Sequence, residues 1–231
     1  RSVRDARLLL DVLVGSPPPD WSIDNDRRLN GARLGVFAAE INQLSEPVIA
    51  DGFYRAIEDA RGAGAEIIEM NLKEMDLNDL RLAAFLKIER DGALALSGPL
   101  RDHPEAYSES LLAILNYGRN MSPVRLHDAM KKLNRARAVL FSLFEEVEFL
   151  ATPTAPQLAF PRTQPVPTNQ AIFTGLANIY GGPAISLPSA ISDEGLPLAF
   201  HLMAAPNQEA HLLNAAEDLE GQWGRFVPPD P

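Results

Sequence analysis

The sequence of 231 residues contains no cysteine. This absence excludes disulfide bonds, thiolate metal sites and a cysteine nucleophile. Basic residues are also few relative to acidic ones, with 21 lysines and arginines against 31 aspartates and glutamates, and the formal net charge is −10. Because a negative chain is repelled by phosphate groups, we expect neither nucleic acid nor an anionic membrane surface as a partner.

Long apolar runs are missing as well. A membrane-spanning helix needs roughly 18 consecutive apolar residues, and no segment of this sequence approaches that length. Residues 1–14 are charged and amphipathic, unlike the apolar core of a signal peptide. We therefore expect a cytoplasmic protein without membrane contact. Its hydrophobic content of 46% and charged content of 23% are typical of an ordinary globular chain.

The common motifs of cofactor binding and catalysis are absent from the sequence. Gly62-Ala-Gly64 lacks the third glycine of a dinucleotide-binding loop, and Ser186 lacks the flanking glycines of a nucleophile elbow. The histidines are too dispersed for a local metal site, so we expect neither a metal nor another cofactor. They are His103, His127, His201 and His211. His201 lies within an apolar strand pattern, which favours a structural role over a catalytic or ligand role.

Hydrophobic periodicity predicts a βαβ unit near the start of the chain. Residues 34–38 and 66–70 form short apolar runs, and residues 46–63 between them repeat apolar side chains at helical spacing. A strand, a helix and a strand this close together imply two parallel strands joined by a right-handed crossover.

The rest of the chain alternates predicted helices with further strands. The turn sequence Asp193-Glu-Gly195 predicts a hairpin between strands at residues 184–188 and 198–203. The proline-rich residues 157–168 are expected to be irregular. Further helices are predicted at residues 2–14, 76–95, 107–117, 123–147, 169–180 and 209–220, with a strand at 149–153. The pattern as a whole predicts an α/β fold.

Four stretches of the chain resemble enzymes of the amidase signature family. Arg1-Ser-Val-Arg-Asp5 and the helix that it opens are similar to the helix that follows the family's signature region. Residues 33–68 are similar to a strand, helix and strand of that family, and residues 144–156 to a segment ending in Thr-Pro-Thr-Ala-Pro. Residues 174–198, with Gly182-Pro-Ala-Ile-Ser-Leu-Pro188, complete the resemblance. The four stretches occur in the family's order over nearly the whole chain.

This resemblance implies both a fold and a chemistry. The fold would be a mixed β-sheet flanked by helices, with residues 1–231 as the C-terminal portion of a single amidase-type domain. Members of the family hydrolyse or transfer amides with a serine nucleophile, a second serine on a cis peptide bond and a lysine base. In the family these three residues precede the Arg-Ser-Val-Arg-Asp helix, which here opens the chain. We therefore assign no catalytic residue, and expect a fragment or a processed chain.

The same resemblance points to residues that would contact the substrate. By position, the family's acyl pocket would be lined by Phe173, Thr174 and Asn178, and more weakly by Tyr117. A structural role is the alternative for each of them. An aromatic residue at helical spacing usually belongs to the core, and Asn178 could bridge backbone groups instead.

The leading hypothesis is a fragment of a hydrolase for small linear amides, which supplies scaffold and part of the acyl pocket but is catalytically incomplete alone. One alternative is a non-catalytic binding or assembly module on the same scaffold. Another is an A-type subunit of a glutamine amidotransferase for tRNA. In such subunits an arginine on the helix that corresponds to residues 111–117 binds the substrate's α-carboxylate. The nearest arginine here is Arg119, which favours a plain amidase.

Two further expectations concern the chain as a whole. Part of a domain would expose apolar surface and a sheet edge, so we expect self-association of the isolated chain. The resemblance could also be coincidental, in an unrelated α/β domain. A strand at residues 184–188 that lay outside the main sheet would favour that interpretation.

Overall fold

The computed structural model describes residues 2–15, 28–72 and 75–224. The chain divides into two compact units. The first, here called the sheet unit, comprises Arg1–Leu72 and Leu140–Pro231. The second, the helical unit, comprises Lys73–Val139. That residues 1–231 are part of one amidase-type domain stays a prediction.

The sheet unit contains, within the described residues, a five-stranded mixed β-sheet with strand order β2-β1-β3-β5-β4. Its strands are β1 Arg33–Val36, β2 Glu66–Glu69, β3 Phe149–Pro153, β4 Ala184–Ile191 and β5 Pro197–Ala204. Strand β1 is parallel to β2 and β3, and β5 is antiparallel to β3 and β4. The mixed sheet with its flanking helices confirms the predicted fold class. The strand predicted at residues 184–188 lies in this sheet, at its edge.

Helices account for most of the remaining described chain, and several match the prediction closely. The helix predicted at residues 169–180 is shorter than expected, because residues 169–174 form separate turns and the helix begins at Gly175. The helix predicted at residues 123–147 ends at Leu143, where the chain turns toward β3. The helices are α1 Val3–Val14, α2 Ala38–Leu44, α3 Pro47–Gly62, α4 Leu77–Ala95, α5 Ser97–Asp102, α6 Glu109–Arg119, α7 Pro123–Leu143, α8 Gly175–Tyr180 and α9 Glu209–Trp223.

Local sequence explains how the first helices begin and end. Ser2 caps α1, because its Oγ accepts a hydrogen bond from the Asp5 N–H at 3.1 Å. Gly15 follows α1 with a φ of 86°, a conformation that favours glycine and stops the helix. Pro47 opens α3, where the missing N–H costs no helical hydrogen bond. Helix α3 lies between the parallel strands β1 and β2 in sequence, which confirms the predicted βαβ unit.

The two faces of the sheet are packed differently. Phe200 of β5 stacks on Phe53 of α3 and lies against Trp223 of α9, each at 5.4 Å between ring centroids. On the opposite face, a Cβ at Gly35 would lie 2.7 Å from Leu150 Cδ2 and 2.8 Å from a Met70 side-chain carbon. A larger residue at position 35 of β1 would displace these side chains, so the packing of this face requires glycine there.

The helical unit is held together by close packing of α4 against α6. A Cβ at Gly118 would collide with the backbone carbonyl of Glu89, so the two helices approach at backbone distance only because this residue is glycine. On the surface, Lys132 Nζ of α7 contacts Asp79 Oδ2 of α4 at 2.7 Å. Across residues 2–15, 28–72 and 75–224, no helix combines the length and apolar character that crossing a bilayer requires.

Candidate functional site

Three of the four predicted site residues lie on the segment that connects β3 to β4. Phe173 is completely buried, and it supports the segment from within. Thr174 is partly exposed, and Asn178 is exposed on α8. The Asn178 side-chain amide donates to the Thr174 carbonyl at 3.5 Å, a long hydrogen bond that leaves its other polar positions open. Thr174 and Asn178 are thus accessible to a ligand in this structure, whereas Phe173 is not.

Aromatic packing fixes the position of this segment on the sheet unit. Tyr180, the last residue of α8, is buried and stacks on Phe144 at 4.8 Å between centroids, with Phe141 edge-on at 5.1 Å. Gly181 then adopts a φ of 81°, and a Cβ at Gly182 would collide with the Ala204 carbonyl oxygen. The two glycines therefore allow the chain to turn tightly from α8 into β4.

A row of polar side chains crosses the neighbouring strands, and sequence analysis did not predict it. Thr152, His201 and Ser186 occupy directly paired positions on β3, β5 and β4, so they share one face of the sheet. Thr152 Oγ1 lies 3.2 Å from His201 Nδ1, and Thr154 Oγ1 lies 2.6 Å from Ser186 Oγ. The pairing of β3 with β5 brings together residues that are far apart in sequence, for which periodicity offers no signal.

His201 is the buried titratable group of this row. The residue is only 4% exposed. Burial lowers the pKa of His201 to about 4, since removal of the ring from water disfavours the imidazolium. At neutral pH the ring is therefore uncharged, and its Nδ1 forms a hydrogen bond with the Thr152 hydroxyl. These contacts agree with the structural role that its apolar strand pattern favours.

The fourth predicted residue, Tyr117, belongs to the helical unit. It lies on α6 and is 41% exposed, with the Arg125 guanidinium 5.5 Å from its ring centroid. Helix α6 extends two residues beyond the predicted end and finishes at Arg119, so it does carry an arginine in its last turn. The described residues contain no group of three or more side chains placed to hold a metal ion.

The outer edge of the sheet carries an apolar groove. It is lined by Val3, Ala6 and Leu9 of α1 and by Ile185, Leu187 and Pro188 of β4. Helix α1 is attached to α9, because the Val3 N–H donates to Glu220 Oε1 at 3.0 Å and Arg7 donates to Asn214 Oδ1 at 3.0 Å. Among the described residues, β4 has a strand neighbour on one side only.

The fold is that of an α/β protein with a mixed β-sheet flanked by helices. Aromatic contacts hold the segment between β3 and β4 in place. Residues 1–213 match the family model described as Amidase, and the chain therefore belongs to the amidase family. This match confirms the resemblance found in the sequence.

A curated relative is similar to this chain in sequence, and two solved structures are similar to it in fold. The A-type subunit of glutamyl-tRNA(Gln) amidotransferase from Salinispora tropica is 27% identical over 272 residues, which cover 99% of this chain and 55% of the relative. A crystal structure of an amidase has a TM-score of 0.81 at 23% identity, covering 97% of this chain and 52% of that one. The corresponding amidotransferase subunit from Thermotoga maritima has a TM-score of 0.71 at 20% identity, covering 95% and 50%. The chain spans about half the length of these proteins.

Proposed function

We propose that this chain supplies the scaffold and part of the acyl-binding pocket of an enzyme that hydrolyses small linear amides. The chemical step would require a serine nucleophile, a second serine and a lysine base from outside these 231 residues. The match to the amidase family over residues 1–213 carries this proposal. The half-length coverage of the relatives supports the view that the chain is catalytically incomplete alone.

The accessible part of the pocket wall would be formed by Thr174 and Asn178. Both present polar atoms near the start of α8, where the aromatic contacts of Tyr180 hold the segment in place. A hydroxyl and a side-chain amide can together donate to an amide carbonyl and accept from an amide nitrogen. Phe173 would stiffen the wall from beneath, and the substrate contact expected of Tyr117 stays a proposal.

The proposal is tested first by turnover. The purified chain is incubated with hexanamide and the released ammonia is measured, with an intact amidase of the family assayed in parallel to control for substrate quality. We expect ammonia release no faster than in buffer. Release that rises in proportion to the concentration of the purified chain would show that the catalytic residues lie within it, and would overturn the proposal.

Binding tests the pocket wall itself. Titration calorimetry with hexanamide should show weaker binding for Asn178→Ala and Thr174→Val, by about two- to tenfold for each lost neutral hydrogen bond. Asn120→Ala is a matched control, because the Asn120 amide also donates to a carbonyl four residues earlier, that of Asn116, at 3.0 Å. Equal affinity for all three variants would remove Thr174 and Asn178 from the site.

A second candidate function is that of an amidotransferase subunit with protein partners. It is favoured by the Salinispora tropica relative, which is named as a subunit of glutamyl-tRNA(Gln) amidotransferase. The same titration discriminates between the two candidates when L-glutamine replaces hexanamide. Binding of L-glutamine in preference to hexanamide, with loss in Asn178→Ala, would favour the amidotransferase over the plain amidase.

A further inference from the structure

We propose that residues 154–158, here called the strap, open locally while the rest of the sheet unit stays folded, and that this opening uncovers the carboxyl ends of β1 and β3. The strap leaves the sheet directly after β3. Glu46, which the strap contacts, follows the neighbouring parallel strand β1 through α2. Ligands of open α/β sheets bind outside the carboxyl ends of the strands, so a segment that closes over this edge controls access to it.

Two hydrogen bonds to Glu46 hold the strap closed. The Glu46 N–H donates to the Pro156 carbonyl oxygen at 2.7 Å, and the Leu158 N–H donates to Glu46 Oε2 at 3.0 Å. The start of the strap is anchored separately, because the Thr154 N–H donates to the Ala199 carbonyl oxygen of β5 at 3.0 Å. The strap can therefore move about Thr154 when its contacts with Glu46 break.

Buried polar atoms beside these hydrogen bonds disfavour the closed strap. The side-chain oxygen and nitrogen of Gln157 are buried, and so is the hydroxyl of Ser45. Within the described part of the chain, none of these three atoms has a hydrogen-bond partner. Leaving a buried donor or acceptor unpaired costs about as much free energy as a hydrogen bond to a charged group contributes. Opening returns Gln157 and Ser45 to water, which offsets the loss of the two bonds to Glu46.

Burial on the two sides of the strap confines the opening to this segment. All five residues of β3, which precedes the strap, are buried. Residues 159–168, which follow it, are mostly exposed, and Val166 among them is 67% exposed. Segments with little buried apolar surface open at a lower free energy than the strands of a core. The opening involves neither Thr174 nor Asn178, so it does not depend on the proposed function.

Amide hydrogen exchange, followed by NMR on the full 231-residue chain, tests the proposal. We expect the Glu46 and Leu158 amides to be protected at least about tenfold less than the amides of β5, which exchange through global unfolding. Gln157→Met removes the unpaired amide and keeps a long, unbranched side chain, so it should raise the protection of both amides by about tenfold. Gln164→Met is the matched control, because Gln164 is exposed in the proline-rich residues that follow the strap. It should leave their protection unchanged.

Thiol labelling measures the uncovering directly, because the chain has no cysteine of its own. The thiol of Ser45→Cys should react with N-ethylmaleimide in the native protein at least about tenfold faster than that of Ala151→Cys, since Ala151 is completely buried in β3.

Three results would overturn the proposal. They are equal labelling rates for the two cysteine variants, protection of the Glu46 and Leu158 amides equal to that of β5, and unchanged or lower protection of these amides in Gln157→Met. A thermal melt followed by circular dichroism checks that each variant is folded. If Gln157→Met does not fold, the comparison of Ser45→Cys with Ala151→Cys decides.

Discussion

Among single residues, His201 couples the stability of the sheet unit to pH. Its pKa falls from an ordinary value of 6.5 to about 4 because the ring is buried. Below pH 6.5 the unfolded chain takes up a proton on this residue, whereas the folded chain stays neutral until the pH approaches 4. The contribution of His201 to the free energy of unfolding is therefore complete above pH 6.5 and is lost as the pH falls toward 4.

Replacing this histidine should make the protein less sensitive to acid. Between about pH 7 and pH 4 the free energy of unfolding of the wild type should fall by up to about 3 kcal/mol more than that of His201→Gln. Urea denaturation at a series of pH values measures the difference. His103→Gln serves as the control, because the His103 side chain is 74% exposed. Parallel pH profiles for wild type and His201→Gln would contradict the prediction.

The predictability of the site also differs from residue to residue. The position of the segment that carries Thr174 and Asn178 could be predicted. Gly182 and Pro183 follow it, and glycine and proline in sequence indicate a turn before a strand. The burial of Phe173 agrees with the structural role that the sequence analysis gave as its alternative, because an aromatic residue at helical spacing usually belongs to the core. The contact of Thr152 with His201 depends on the register of β3 against β5, which is a property of the folded sheet.

At the level of elements, the packing of α4 against α6 depends on a single glycine. Gly118→Ala would place a methyl group against the Glu89 backbone carbonyl, so the helices would have to separate. We expect this substitution to lower the free energy of unfolding by about 2 kcal/mol or more.

Gly98→Ala provides the matched control for that substitution. A Cβ at Gly98 in α5 meets no atom within 4 Å. Alanine favours helix formation over glycine by up to about 1 kcal/mol, so this variant should be unchanged or slightly more stable. Guanidinium denaturation of both variants checks the opposite signs. A similar stability for the two variants would show that α4 and α6 can adjust without cost.

Long or strongly patterned elements were predictable, as were the short apolar strands β1, β2 and β3, but two short helices were not. Helix α4 and the hairpin of β4 with β5 were predicted because each carries a full period of apolar residues or a turn signal. Helices α2 and α5, with seven and six residues, are too short to show a helical repeat. The strand order β2-β1-β3-β5-β4 could not be predicted from periodicity either. Strands β1 and β3 are neighbours in the sheet, but the whole helical unit separates them in sequence.

For the whole molecule, α1 has the largest consequence for behaviour in solution. Five of its apolar side chains are between 53% and 77% exposed: Leu8, Leu9, Val12, Leu13 and Val14. They lie on the helix that lines the apolar groove beside β4. Exposed apolar surface of this kind favours association with a second copy or with another polypeptide.

The isolated chain should therefore self-associate through this helix. Sedimentation velocity should show oligomers that dissociate in the double variant Val12→Lys/Leu13→Lys. The control is Ile114→Lys/Val124→Lys, which adds the same charge at exposed apolar positions of the helical unit. A monomeric wild type at high concentration would contradict the expected self-association, and equal effects of the two double variants would contradict the role of α1.

Strand β4 also limits the size of the assemblies that such association can form. Pro188 interrupts the strand with a residue that has no N–H, and the pairing with β5 is irregular between Pro188 and Ala190. An incoming strand could form a regular ladder along only part of this edge, because the remainder offers neither the donors nor the even spacing that stacking requires. Association at this edge should therefore produce small oligomers and not fibrils.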